Sequence, residues 1–171
     1  MAFSNSTNNP CLAVIGYNQL CFFLVNADGR FGRQINPDFN RIENITKFNW
    51  INDKKNFFAV AYNNYIRIAG IGSNNTIKPI SKAQIGKIIR DFDGYMNSKT
   101  YVLFILDTDG KLYFIDIDLK EGKTTAYSPQ DKIISLKDED GNIIKDEIYS
   151  VKSIDGNKLL ISSPNGMIRI A

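Results

Sequence analysis

Apolar residues in this 171-residue chain come in short runs of strand length, divided by polar turns, and the order of the runs recurs. Residues 48–71 (FNWINDKKNFFAVAYNNYIRIAGI), 89–117 (IRDFDGYMNSKTYVLFILDTDGKLYFIDI) and 151–171 (VKSIDGNKLLISSPNGMIRIA) each read as strand, polar turn, apolar strand, tight turn, amphipathic strand. A fourth copy, without its first strand, occupies 11–26 (CLAVIGYNQLCFFLVN). The tight turns fall at Tyr17-Asn18, Asn63-Asn64, Thr108-Asp109 and Pro164-Asn165. Asn18 and Asn64 are 46 residues apart, as are Asn63 and Asp109, whereas Asp109 and Asn165 are 56 apart. The surplus fits residues 132–148 (KIISLKDEDGNIIKDEI), which carry their own Asp-Gly turn signal between apolar runs and read as an inserted hairpin.

A run that stays apolar throughout, such as 101–106, predicts a strand covered on both faces, and the alternating 111–118 after it predicts a half-exposed one. The strands expected to end each copy are weak and polar: 31–35 (FGRQI), 75–80 (NTIKPI) and 124–128 (TTAYS). Pro79 suits an outer edge, where backbone positions go unpaired. The best helical candidate, 81–92, is interrupted by Gly86 and reads as loop and strand. Four short strands at a period near 45 residues predict an all-β, β-propeller-like domain of about four blades, first and last incomplete, or a part of a larger propeller. The expected layout is a polar segment at 1–10 and one domain at 11–171, with repeats near 11–42, 43–84, 85–130 and 131–171.

Residues 112–123 (LYFIDIDLKEGK) resemble the third strand and following turn of a WD40-type blade, with Ile115-Asp116 standing where such repeats often carry Trp-Asp. The chain has no Trp-Asp dipeptide and no Gly-His pair. The resemblance implies a rigid platform for other macromolecules and no catalytic residues.

Composition narrows the chemistry further. Histidine is absent, which removes the usual base of Ser-His-Asp and Cys-His hydrolases and of His-rich metal sites. The two cysteines, Cys11 and Cys21, bracket the first hairpin; opposed strands could bridge them, but in a chain without a secretory leader they read as reduced, buried thiols. Two cysteines without histidine build no ordinary zinc site. Asp107-Thr108-Asp109-Gly110 and Asp138-Glu139-Asp140-Gly141 resemble the starts of calcium loops, yet Asp118 stands where the first loop would need its glutamate, and hairpin turns account for both. No glycine pattern matches a phosphate cradle. No apolar run reaches membrane-spanning length and the first residues are polar, so an intracellular protein without signal peptide or membrane span is expected.

Net charge is +3, too mild to specify a partner class. Arg30, Arg33 and Arg41 cluster in the basic first half, and arginines interleaved with aromatics could meet RNA, although a solvated face or a protein partner explains them better. Trp50, the only tryptophan, reads as blade-to-blade packing first and as a partner hot spot second. A terminal strand through Met167, Ile168, Arg169 and Ile170, left bare, invites pairing with another chain. The sequence therefore predicts a non-catalytic protein-interaction or scaffold module, free of cofactors, completed by a partner or an oligomer at its unfinished edge. The alternative is a glycan- or small-ligand-binding propeller with shallow sites between blades.

Overall fold

The computed structural model describes residues 1–4, 10–16, 18–37, 44–51, 56–72, 74–98, 100–119, 125–127, 133–138, 140–144, 147–155 and 158–171, with backbone alone at 125–127, 133–134 and 155. Sixteen strands and no helix are found among them. The first sheet runs β1 (Ala2–Phe3), β2 (Cys11–Ile15), β3 (Leu20–Val25), β4 (Phe31–Ile35) in chain order. The second runs β5 (Lys47–Trp50), β6 (Phe57–Ala61), β7 (Tyr65–Ile71), β8 (Ile77–Gln84). The third contains β9 (Ile89–Asn97), β10 (Thr100–Asp107), β11 (Leu112–Asp118) and then β13 (Ile133–Ile134). The last has three strands, β14 (Ser150–Asp155), β15 (Lys158–Ser162) and β16 (Ile168–Ile170). In each, the strands named here pair antiparallel, and the first strands of successive sheets lie side by side, β1 by β5, β5 by β9 and β9 by β14. These are four propeller blades with their inner strands around a common axis.

The mid-copy turns all join the second and third strands of a blade, where the spacing puts them. At the third blade Asp107 N donates to Lys111 O and Gly110 N to Asp107 O, with Gly110 at φ +78°, a left-handed position that a Cβ would strain. Asp107 closes this turn: its carboxylate accepts from the backbone N–H groups of Asp109 and Lys111 and from the Tyr113 hydroxyl, each at 2.9 Å. Asp138 likewise accepts from Asp140 N and Asn142 N, which holds its carboxyl below the usual carboxylate range. Both acidic clusters thus serve hairpin turns.

Two assignments need correction. The first copy does not lack its first strand: Ala2 pairs with Ala13 and Phe3 with Leu12. Ser4 fastens this short strand, its backbone N–H donating to Cys11 O and its Oγ accepting from Cys11 N. The N-terminal residues thereby complete their own blade. Strand β12 (Thr125–Tyr127), expected as the outer strand of the third blade, instead pairs parallel to β8 at the edge of the second, Thr125 opposite Ser81 and Tyr127 opposite Ala83. Ile133–Ile134 of the expected inserted hairpin takes the vacated place against Leu112 and Tyr113. Further along that hairpin Lys137 and Ile143 form a bridge, with Asp138 N donating to Asn142 O and Ile144 N to Leu136 O, each at 2.9 Å.

Three cores sit between consecutive blades. Cys11, Ala13, Leu20, Phe22 and Ile35 meet Phe58, Val60, Tyr62 and Ala69. Ala59, Ala61, Ile66 and Ile68 meet Phe92, Tyr101, Leu103 and Ile115. Leu106 and Leu112 meet Ile148, Val151, Leu159 and Ile161. Alternation along each strand sends odd and even residues to different interfaces, so every inner blade is buried on both faces.

Candidate functional site

Four blades closed into a ring would share four interfaces; the described residues form three cores. The outward face of the first blade and the outward face of the last blade are therefore left over. On the first blade, Phe3, Leu12 and Phe23 lie opposite one another across β1, β2 and β3, and Val14 opposes Cys21 in the next row. Phe31 of β4 packs edge-on against Phe23, their ring centroids 6.2 Å apart. Phe3 is 62% exposed and Phe31 58%. On the last blade, Lys152, Leu160 and Ile170 form one row, and Ser150, Ser162 and Ile168 the next. Ile168 is 64% exposed, Ile154 50% and Ile170 37%. Among the described residues, Leu12 is buried on the first of these faces, and the exposed rings and aliphatic side chains around such positions form the kind of apolar patch that marks interaction sites.

The inner strands are joined by side chains. Asp91 and Asp93, two residues apart on β9, project towards the last blade. Asp91 accepts from Lys47 Nζ, from Phe92 N and, at 2.9 Å, from Val151 N. Asp93 accepts from Asn49 Nδ2 at 2.9 Å, from Ser153 N at 2.8 Å and from Lys152 Nζ at 3.0 Å. Two buried carboxylates thus staple β5, β9 and β14, each carboxylate neutralised by a lysine and satisfied by backbone amides. At the first blade, Trp50 Nε1 donates to Ala2 O at 3.0 Å. Below Asp93 a cleft of about 440 Å³ opens at the axis, lined by Trp50, Tyr95, Met96, Tyr101, Lys152 and Ile154 among others. Burial, with the Asp93 charge adding to it, raises the pKa of Tyr101, so this hydroxyl stays protonated near neutral pH. Among the described residues, no three His, Cys, Asp or Glu side chains gather as a metal-binding group.

The residues singled out from the sequence fall in different places. Trp50 belongs to the interface between the first two blades, against Phe22, Phe48 and Phe58. Arg30 turns back to Asp28, and Arg33 is exposed on β4. Arg41 lies outside the described residues. Ile168 and Ile170 are on the outward face of the last blade; Met167 is exposed beside them, its sulfur accepting from Arg169, which points to the opposite face. The aromatic face of the first blade and the Asp91–Asp93 staple were not singled out. The signal for the face was the aromatic run Phe22-Phe23 with Phe31 and Phe3; for the staple, two acids at i and i+2 on either side of Phe92.

No family model matches the sequence, and no curated protein is matched by it. Solved structures are similar in fold. One is a β-propeller domain described as BBS1N in complex with ARL6DN, soaked with mercury: TM-score 0.57, 11% identity, covering 99% of this chain and 49% of that one. A lead-soaked structure of the same complex gives TM-score 0.57, 10% identity, 99% and 48%. At this identity the likeness establishes the fold, and the chain spans about half the length of these structures.

Proposed function

We propose that this chain is a non-catalytic propeller segment that binds protein through the outward faces of its first and last blades. The observation that carries the reading is the pair of partly exposed apolar sheet faces, Phe3, Phe23 and Phe31 at one end and Leu160, Ile168 and Ile170 at the other. Between blades, side chains of this kind are covered in this protein. The similar propeller is described in complex with a second protein, and we extend that role to this chain. The WD40-like character of the third blade belongs to the same reading: Ile115 is in the core and Asp116 exposed on β11, a pattern compatible with those repeats. So does an intracellular setting, since Cys11 and Cys21 are free thiols on opposite faces of one sheet, where they cannot bridge.

A photo-crosslinking side chain at position 31 or 168 should capture protein, and one at the exposed Lys78 on the blade edge should not. Equal capture at all three positions, or none at 31 and 168, refutes the reading. A second reading, a small-ligand or glycan site, rests on the axial cleft with its Trp50, Tyr95 and Asn49 walls. Binding on a glycan array that Tyr95→Ala abolishes, with no protein captured at the faces, would favour it.

A further inference from the structure

We infer that the partner at both end faces is a second copy of this chain, joined head-to-tail so that two four-bladed halves close one eight-bladed ring. The inference rests on the reading of the end faces as docking surfaces. Three observations select this occupant. First, the two faces complement each other in kind: rings of Phe3, Phe23 and Phe31 on one, aliphatic Leu160, Ile168 and Ile170 on the other. Stacking the aliphatic face under the aromatic one repeats the interface already present between the second and third blades. There Ala59, Ala61, Ile66 and Ile68 of the earlier blade receive Phe92 and Tyr101 of the later one.

Second, the chain matches 49% of the similar propeller's length, so two copies supply the amount of chain found in one such propeller. Third, four and four blades make eight, within the range of about four to eight over which propellers close. A head-to-tail contact that returns on itself after two copies gives a closed pair with a two-fold axis and two identical interfaces; one that does not return gives a filament. Both apolar faces of each copy are covered at once in the closed pair.

The test is mass in solution by sedimentation equilibrium, on the chain and on two variants with a charge at one face each. The monomer mass is 19.3 kDa, and the expected mass is twice that. Ile168→Glu and Phe31→Asp change exposed side chains, so each variant should keep the native circular dichroism while its dimer dissociation constant rises on the order of 100-fold. Mixing the two variants should restore a dimer, because the mixed pair retains one unaltered interface, Phe31 of one variant facing Ile168 of the other. A contact of identical faces would show no such rescue.

A monomer at all concentrations, a filament, or a dimer indifferent to both substitutions overturns the inference. The crosslinking result then separates the two ideas. Capture of a different protein from positions 31 and 168 of a monomeric chain leaves the docking faces standing and removes only the second copy. Absence of any capture from a monomer removes both.

Discussion

Asp93 accepts three hydrogen bonds in a buried position, from two different blades. Replacing it with alanine deletes the acceptor, strands the Ser153 amide and leaves Asn49 Nδ2 with its 3.3 Å bond to Phe92 O. Asp93→Ala should therefore cost about 2–4 kcal/mol in urea unfolding. Asp93→Asn should cost less, but not zero, since its NH2 group would face other donors. A cost within about 0.5 kcal/mol of zero, the range of surface changes, would mean that the staple contributes nothing. Titration of buried neutral groups gives a second prediction. Burial pushes the Cys11 thiol from 9.0 up to about 12, and burial with the Asp107 contact pushes Tyr113 from 10.0 up to about 12. The folded state holds these protons where the unfolded chain has lost them, so both contributions are intact below pH 9. They are lost as pH rises from about 9 to about 12. The urea midpoint should fall across that window, and Tyr113→Phe, weaker at neutral pH by about 1–2 kcal/mol for its lost bond to Asp107, should fall less steeply. Equal slopes in the two proteins would contradict the assignment.

At the scale of the element, Gly94 of β9 leaves no room for a side chain against β10. A Cβ there would meet the Val102 carbonyl oxygen and stand 2.6 Å from the Tyr101 ring. The Tyr101 ring occupies the space beside the glycine that a side chain would take. Gly94→Ala should lower stability by about 2–4 kcal/mol in denaturant titration, since neither backbone nor buried ring can give way. Elements were legible where a signal spanned several residues. The turn register and the runs 57–61 and 101–106 emerge because period and apolar content agree over five or more positions. Strand β1 is two residues long, too short for any alternation to be seen. Strand β12 carries three residues with no apolar alternation, so nothing local told it which blade to join; β8 had a free edge there. The end faces were half legible: Ile168 and Ile170 because their strand was the last, the aromatic face not at all, because Phe22 and Phe23 read as one run although they point to opposite sides. Trp50 had one indole N–H to satisfy, and the Ala2 carbonyl it uses belonged to a strand invisible in the pattern.

For the whole molecule, the second and third blades are each clamped between neighbours, whereas the first and last are each held from one side. In a linear array, stability adds up from units and their shared interfaces, so the end units open first. Amide hydrogen exchange should be slowest in β6, β7 and β10, and faster in β3 and β15, with an intermediate state visible when Asp91→Ala loosens the last blade. If the chain associates as inferred, this contrast should flatten with rising protein concentration, since each end then gains a second neighbour. Uniform protection at all concentrations would argue against a linear hierarchy.

The strand that crosses from the third blade to the second also bears on how the chain is made. Blade two ends its own sequence at Gln84, yet its outermost strand is Thr125–Tyr127, which leaves the ribosome only after β9, β10 and β11. Until then the β8 backbone has no pairing on its outer side. The two central blades thus mature as one unit, on a clock set by translation. A chain cut at residue 119 would expose the β8 edge and should be lost to aggregation or degradation, although β5 to β8 all remain in place.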